Sequence, residues 1–121
     1  MNTRYQGSLV EAEVCRYIQK LGMLPLCKNY KRFTGEIDLI AKEKDTIVFI
    51  EVKARATDTK GSPAEAVTRT KQRRIIMTAL MYLKENHIYG AKMRFDVAAV
   101  SGETIKYIRS AFGAEQFRMN K

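Results

Sequence analysis

Two acids and a lysine are spaced so that they could act together. Asp38, Glu51 and Lys53 lie in two short stretches rich in β-branched residues, Gly35 to Ala41 and Thr46 to Ala54. Strand alternation puts Ile47, Phe49, Glu51 and Lys53 on one face, and Glu36, Asp38 and Ile40 on one face of the preceding strand. Lys42-Glu43-Lys44-Asp45 between them reads as a polar turn, so the pair is expected to be an antiparallel hairpin. A two-residue turn at Lys44-Asp45 sets Asp38 opposite Glu51, with Cβ atoms about 4.5–5.5 Å apart. A turn centred on Glu43-Lys44 leaves them on the diagonal, and an odd loop or a bulge separates them. The turn has no Asn-Gly or Asp-Gly to decide between these.

Two carboxylates that close repel each other, and a divalent cation between them relieves the repulsion. One or two carboxylates, with the other positions left to water and phosphate, suit Mg²⁺, with Mn²⁺ as a substitute. Lys53 points to the same side as Glu51, where it could hold the attacking water or neutralise charge growing on a phosphate. A plain surface ion pair between Glu51 and Lys53 is the competing reading. Against it, the strand carries Ile47 and Phe49 on one face and Val48, Ile50 and Val52 on the other. It therefore looks buried on both sides, where unpaired charge is costly.

The elements that must position these residues are legible in outline. Val10, Val14, Ile18 and Leu21 recur at helical spacing, which predicts a helix from about Tyr5 to Leu21 with Gly22 as its stop. Met23 to Phe33 reads as extended, with Pro25 excluding a helix interior. Ser62-Pro63-Ala64-Glu65 supplies a cap serine, a proline at the first helical position and a glutamate that reaches back. The helix expected from there runs to about Asn86, with Ile76, Leu80 and Leu83 as its apolar stripe and Ile75, Ala79 and Tyr82 beside it. Lys92 to Val100 and Thr104 to Ile108 are two further strands around a Ser101-Gly102-Glu103 turn. The order predicts an α/β domain with a mixed sheet, one domain over residues 1–121, its tail frayed after about Gly113.

Composition limits the partners. Lys plus Arg is 22 against 13 for Asp plus Glu, a net charge of +9, which favours a polyanion such as nucleic acid. No apolar run is long enough for a membrane span, and the first residues lack the apolar stretch of a secretory signal. Cys15 and Cys27 have no metal-ligand spacing and read as reduced thiols of a cytoplasmic protein. A single histidine, His87, argues against a histidine triad or a histidine-rich metal site and reads as a surface residue near a helix end. The methionines read as core filling or as an interface, which leaves a homodimer open.

Gly35-Glu36-Ile37-Asp38-Leu39-Ile40-Ala41, followed by Val48-Phe49-Ile50-Glu51-Val52-Lys53-Ala54-Arg55, resembles the bacterial YraN-like family of candidate endonucleases. The spacing also fits the wider pattern of Asp, then Glu-x-Lys, shared by restriction endonucleases and archaeal Holliday-junction resolvases. Lys71-Gln72-Arg73-Arg74 and Arg94-Phe95-Asp96-Val97 are further matching blocks, and the resemblance runs from about Tyr5 to Phe112. It implies a restriction-endonuclease-like fold, a mixed β-sheet flanked by helices. It also implies Asp38 and Glu51 as metal ligands, Lys53 as the catalytic lysine, and Glu11 as the first-helix glutamate of the site. Val10 stands where the family commonly has glycine, and Lys44 replaces its usual turn glycine.

Glu11 has two readings on its own residues. It lies on the apolar stripe with Val14, Cys15 and Ile18, which suggests an inward-facing site. Ser8-Leu9-Val10-Glu11 also matches a capping box, which makes Glu11 an ordinary cap partner. Glu36 is a further candidate that could equally pair with Lys53. Arg55, Gln72, Arg73, Lys31 and Arg32 are candidate nucleic-acid contacts, with Lys28 and Arg69 beside them. The leading expectation is a Mg²⁺-dependent endonuclease that hydrolyses phosphodiester bonds in DNA. The alternative is a non-catalytic nucleic-acid-binding protein of the same fold, and a third reading is a structural partner in a larger complex.

Overall fold

The computed structural model describes residues 3–54 and 67–114. Helix α1 (Thr3–Lys20) is followed by strands β1 (Leu24–Arg32), β2 (Gly35–Glu43) and β3 (Thr46–Ala54), helix α2 (Arg69–Glu85), and strands β4 (Lys92–Ser101) and β5 (Thr104–Phe112). The strands form one sheet in the order β1-β2-β3-β4-β5. Only β3 and β4 run parallel, and α2 lies between them in the chain; the other neighbours are antiparallel. This is the mixed α/β sheet that the order of elements predicts, with the two helices on opposite faces.

The first helix starts earlier than expected, at Thr3, so Ser8 and Glu11 both sit inside it. That removes the capping-box reading of Glu11, because a cap must flank the helix. The helix ends as expected at Gly22, whose φ of 97° an L side chain adopts only with strain. The Met23 N–H donates to Ile18 O at 3.0 Å across this turn, and Met23 is buried.

The start of α2 differs from the expected one. The helix takes its cap from Thr68, whose hydroxyl accepts from the Lys71 N–H at 3.2 Å. Ser62-Pro63-Ala64-Glu65 and Arg55 lie outside the described residues. The buried stripe also shifts: Ile75, Ile76, Ala79 and Tyr82 face the sheet, whereas Leu80 is 53% exposed. Strand β5 runs past Ile108 to Phe112 because its bonds to β4 continue to the pair Phe95↔Phe112.

Two cores follow from strand alternation. Leu39, Ala41, Val48, Ile50, Ala98 and Val100 pack with Val14, Cys15 and Ile18 of α1. Ile40, Ile47, Phe49, Phe95 and Val97 pack with Ile75, Ile76, Ala79 and Tyr82 of α2. Strand β3 is buried on both faces, as its composition predicts. Both cysteines are free thiols. Among the described residues no helix is long and apolar enough to cross a membrane.

Candidate active site

The β2–β3 hairpin resolves the register left open by the sequence. Glu43 pairs with Thr46 and Leu39 with Ile50, so the turn is the two-residue Lys44-Asp45, with Lys44 at a φ of 56°. That is a left-handed position, which glycine adopts without strain. The ladder stops at Leu39↔Ile50, one residue short of Asp38 and Glu51.

The stop has a local cause. Cys27 and Tyr30, three residues apart on β1, both contact the α2-side core, and so do Ile37 and Ile40 on β2. Strict alternation would send each pair to opposite faces, so both strands contain one extra residue. On β1 the irregularity is marked by Asn29, at a φ of 52°. The two strands keep their mutual register through it, from Lys28↔Leu39 to Tyr30↔Ile37, and turn together. Beyond Leu39, β2 therefore parts from β3. The Val52 N–H is left without a strand partner there, and the Asp38 carboxylate accepts it at 2.8 Å.

Glu51 follows Ile47 and Phe49 on the α2 side of β3 and is only 4% exposed. Lys71, in the first turn of α2, places its ammonium 2.5 Å from the Glu51 carboxylate. Asp38, Glu51, Lys71, Glu36, Thr70 and Arg74 line a cleft of about 410 Å³ between the parted strands and the start of α2. Burial, and then the charge of Glu51, push the Asp38 carboxyl up to about 7; the Val52 N–H pulls the other way, and the charge of Glu11 adds to the rise. Partial burial works against the Lys71 ammonium, but its bond to Glu51 and that carboxylate's charge outweigh this, and its pKa is raised.

The expected site residues are thus partly brought together. Asp38 and Glu51 share the cleft, and Glu11, half-buried on α1, is close enough for its charge to act on Asp38. Lys53 is half-buried two residues beyond Glu51 and makes no ion pair among the described residues. The lysine that meets Glu51 is Lys71. Gln72 and Arg73 stand out in its sequence block and Lys71 does not, because helical spacing cannot say which residue of a first turn faces the sheet. The donors at the cleft are hard oxygens, which fit Mg²⁺ or Mn²⁺. Among the described residues no group of three or more potential ligands is clustered, so a cation held by Asp38 and Glu51 needs water or substrate oxygens to complete its shell.

The nucleic-acid candidates separate into different roles. Lys28, Lys31 and Arg73 are exposed. Gln72 donates to Val67 O at 2.9 Å and so supports the start of α2. Arg32 is committed elsewhere: its Nε and Nη2 donate to the two Glu85 carboxylate oxygens at 3.0 and 2.8 Å, and its guanidinium lies 4.2 Å from the Tyr30 ring centre. Asp96 is fully buried and satisfied by Arg94, Tyr107 and the Ser110 N–H. Its role is to join β4 to β5. His87 is exposed just past the end of α2.

Comparison with known proteins matches residues 10–100 to the family described as "Uncharacterised protein family UPF0102". A UPF0102 protein of Desulfosudis oleivorans is 45% identical over 117 residues, covering 94% of this chain and 95% of its own length. One from a Sulfurihydrogenibium species is 40% identical over 115 residues, covering 95% of this chain and 100% of its own. A third, from Vibrio campbellii, is 41% identical over 112 residues, covering 89% and 92%. With its parted strands, its acids and Lys71 all inside the matched span, this chain belongs to the UPF0102 family, the YraN-like family its sequence blocks resemble.

Proposed function

We propose that the protein is a metal-dependent endonuclease that hydrolyses phosphodiester bonds in DNA, with Mg²⁺ or Mn²⁺ held by Asp38 and Glu51. The observation that carries the reading is the convergence of these two acids in one cleft, at the point where β2 parts from β3. A purely structural pair of acids there is costly, since each carboxylate raises the energy of ionising the other. A divalent cation, when bound, offsets that repulsion and supplies a Lewis acid for the phosphate together with an activated water.

The chain's own groups have separable tasks in this reading. The Val52 N–H and a hydrogen bond with Glu51 fix the Asp38 carboxyl in the cleft, where both acids would hold the cation. Lys53, on the Glu51 side of β3, faces the scissile phosphate and neutralises charge that grows there. Lys71 compensates Glu51; a cation held by Asp38 and Glu51 would leave its ammonium for a phosphate oxygen of the substrate. Arg74, on the cleft wall, favours the same anion.

The Lys71–Glu51 pair also favours a second reading, a non-catalytic nucleic-acid-binding protein in which lysine permanently takes the place of the cation. Purified protein offered linear, flapped and four-way DNA with Mg²⁺, Mn²⁺ or chelator separates the two. Cleavage that needs the metal supports the enzyme. Tight binding without cleavage under any metal transfers the assignment to the binding protein.

A further inference from the structure

The β1–β2 hairpin ends in a two-residue tip, Phe33-Thr34, closed by the pair Arg32↔Gly35. Phe33 at this tip is 92% exposed. A lone exposed aromatic is ordinary; the way this one is held is not. Thr34 Oγ1 and Thr78 Oγ1 of α2 share a hydrogen bond at 2.7 Å. Arg32 forks onto Glu85 through two bonds, and the Tyr30 hydroxyl donates to the same carboxylate at 2.6 Å. Gly35 lies so close to α2 that an added Cβ would stand 3.2 Å from both Arg74 Cβ and Thr78 Oγ1. The tip is thus fastened to α2 on both sides, and among the described residues the aromatic ring has no ring partner.

The position adds a direction. Gly35 and Glu36 line the cleft that holds Asp38 and Glu51, so Phe33 stands two residues along the chain from its rim. Lys31 beside it and Arg73 on the first turns of α2 are exposed cations, and the chain carries +9 overall. A fixed aromatic face between a strand and a helix that both carry exposed cations matches the chemistry that holds single-stranded nucleic acid, where bases stack on rings and the backbone follows positive charge. Fastening the hairpin in advance lowers the ordering cost of such a contact.

We propose that Phe33 is a stacking platform for an unpaired DNA base, so that the preferred substrate class is DNA with a single-stranded or unstacked nucleotide next to the cut. This rests on the nuclease reading for its substrate, and its test is independent of cleavage. The chain contains no tryptophan, so Phe33→Trp introduces a single emitter at the tip. In chelator, labelled single-stranded and blunt duplex oligonucleotides are titrated by anisotropy while tryptophan emission is read.

Single-stranded DNA is expected to quench the Phe33→Trp emission. Phe33→Ala is expected to weaken single-strand binding about tenfold, as loss of one base stack does, with little change on blunt duplex, while Phe33→Tyr keeps it. Unchanged emission on DNA that anisotropy shows to be bound overturns the platform and leaves the nuclease reading standing. No binding of any DNA by the wild type overturns both. Emission that follows protein concentration and ignores DNA assigns the ring to contact between copies and also overturns the proposal.

Discussion

The Asp38 carboxylate accepts the Val52 N–H at 2.8 Å, standing in for the backbone carbonyl that β2 withdraws when it parts from β3. One side chain thus does two things. It closes the end of a broken ladder, and it is pinned beside Glu51, with which it shares a hydrogen bond. The cost of that placement is visible in its ionisation, raised to about 7 by burial and by Glu51.

Asp38→Asn should therefore stabilise the metal-free protein at pH 8, by roughly 1 kcal/mol, the size of gain expected when a functional strain is removed. The sign follows from linkage. A carboxyl whose folded pKa lies above its unfolded value of 3.8 contributes stability below that value and loses it as pH rises through about 7. The advantage of the asparagine should accordingly shrink at pH 5. Thermal melts in chelator at both pH values check this, and an asparagine variant less stable than wild type at pH 8 would contradict it.

Lys71→Met leaves Glu51 buried without its counter-charge. The metal-free protein should lose about 1–3 kcal/mol, and added Mg²⁺ should restore more stability to the variant than it gives the wild type. Melting curves with and without Mg²⁺ decide the matter. An equal metal response in both proteins would mean that Lys71 and the cation do not compete for Glu51.

Much of this arrangement was legible in the sequence, and the exceptions have physical causes. Asp38 and Glu51 were readable because period-two alternation survives from Ile47 to Glu51 and the turn at Lys44-Asp45 is even. The irregularity at Asn29 was not, because its positive φ is tolerated by asparagine but not demanded by it, and Pro25 signals only the separate register shift before Cys27. Lys71 was missed because the cap signal at Ser62 seemed sufficient, whereas Thr68 caps the described helix and sets which side of its first turn faces the cleft. Arg32 looked like a phosphate contact because composition cannot reveal a partner as distant in the chain as Glu85.

Acid should attack the far end of the sheet. Hydrogen bonds from Arg109 and then Arg94 hold the Glu43 carboxyl down at about 2. A carboxyl depressed on folding contributes stability above its unfolded value of 4.5 and loses it as pH falls toward 2. Glu43→Gln should flatten the decline in stability between those values in an acid-unfolding series. A wild-type curve and a variant curve that run parallel would show that the Glu43–Arg94–Arg109 cluster contributes nothing measurable.

Nucleic-acid binding should weaken as salt rises, since contacts from lysine and arginine to phosphate release counterions. Removing one phosphate contact reduces the slope of log affinity against log salt by about 1, and Lys31→Ala and Arg73→Ala are each expected to do so. A slope near zero in the wild type would assign the excess charge to something other than a polyanion.

One comparison tests the site most directly: metal-dependent DNA cleavage by wild type, Asp38→Asn, Glu51→Gln and Lys53→Ala, paired with DNA binding in chelator. Both acid variants should lose cleavage while binding DNA as well as or better than wild type, because repulsion of the phosphates falls. Lys53→Ala should keep metal binding and slow the chemical step by on the order of a hundredfold or more. Cleavage that persists undiminished in Asp38→Asn and Glu51→Gln would place the activity elsewhere and contradict the site.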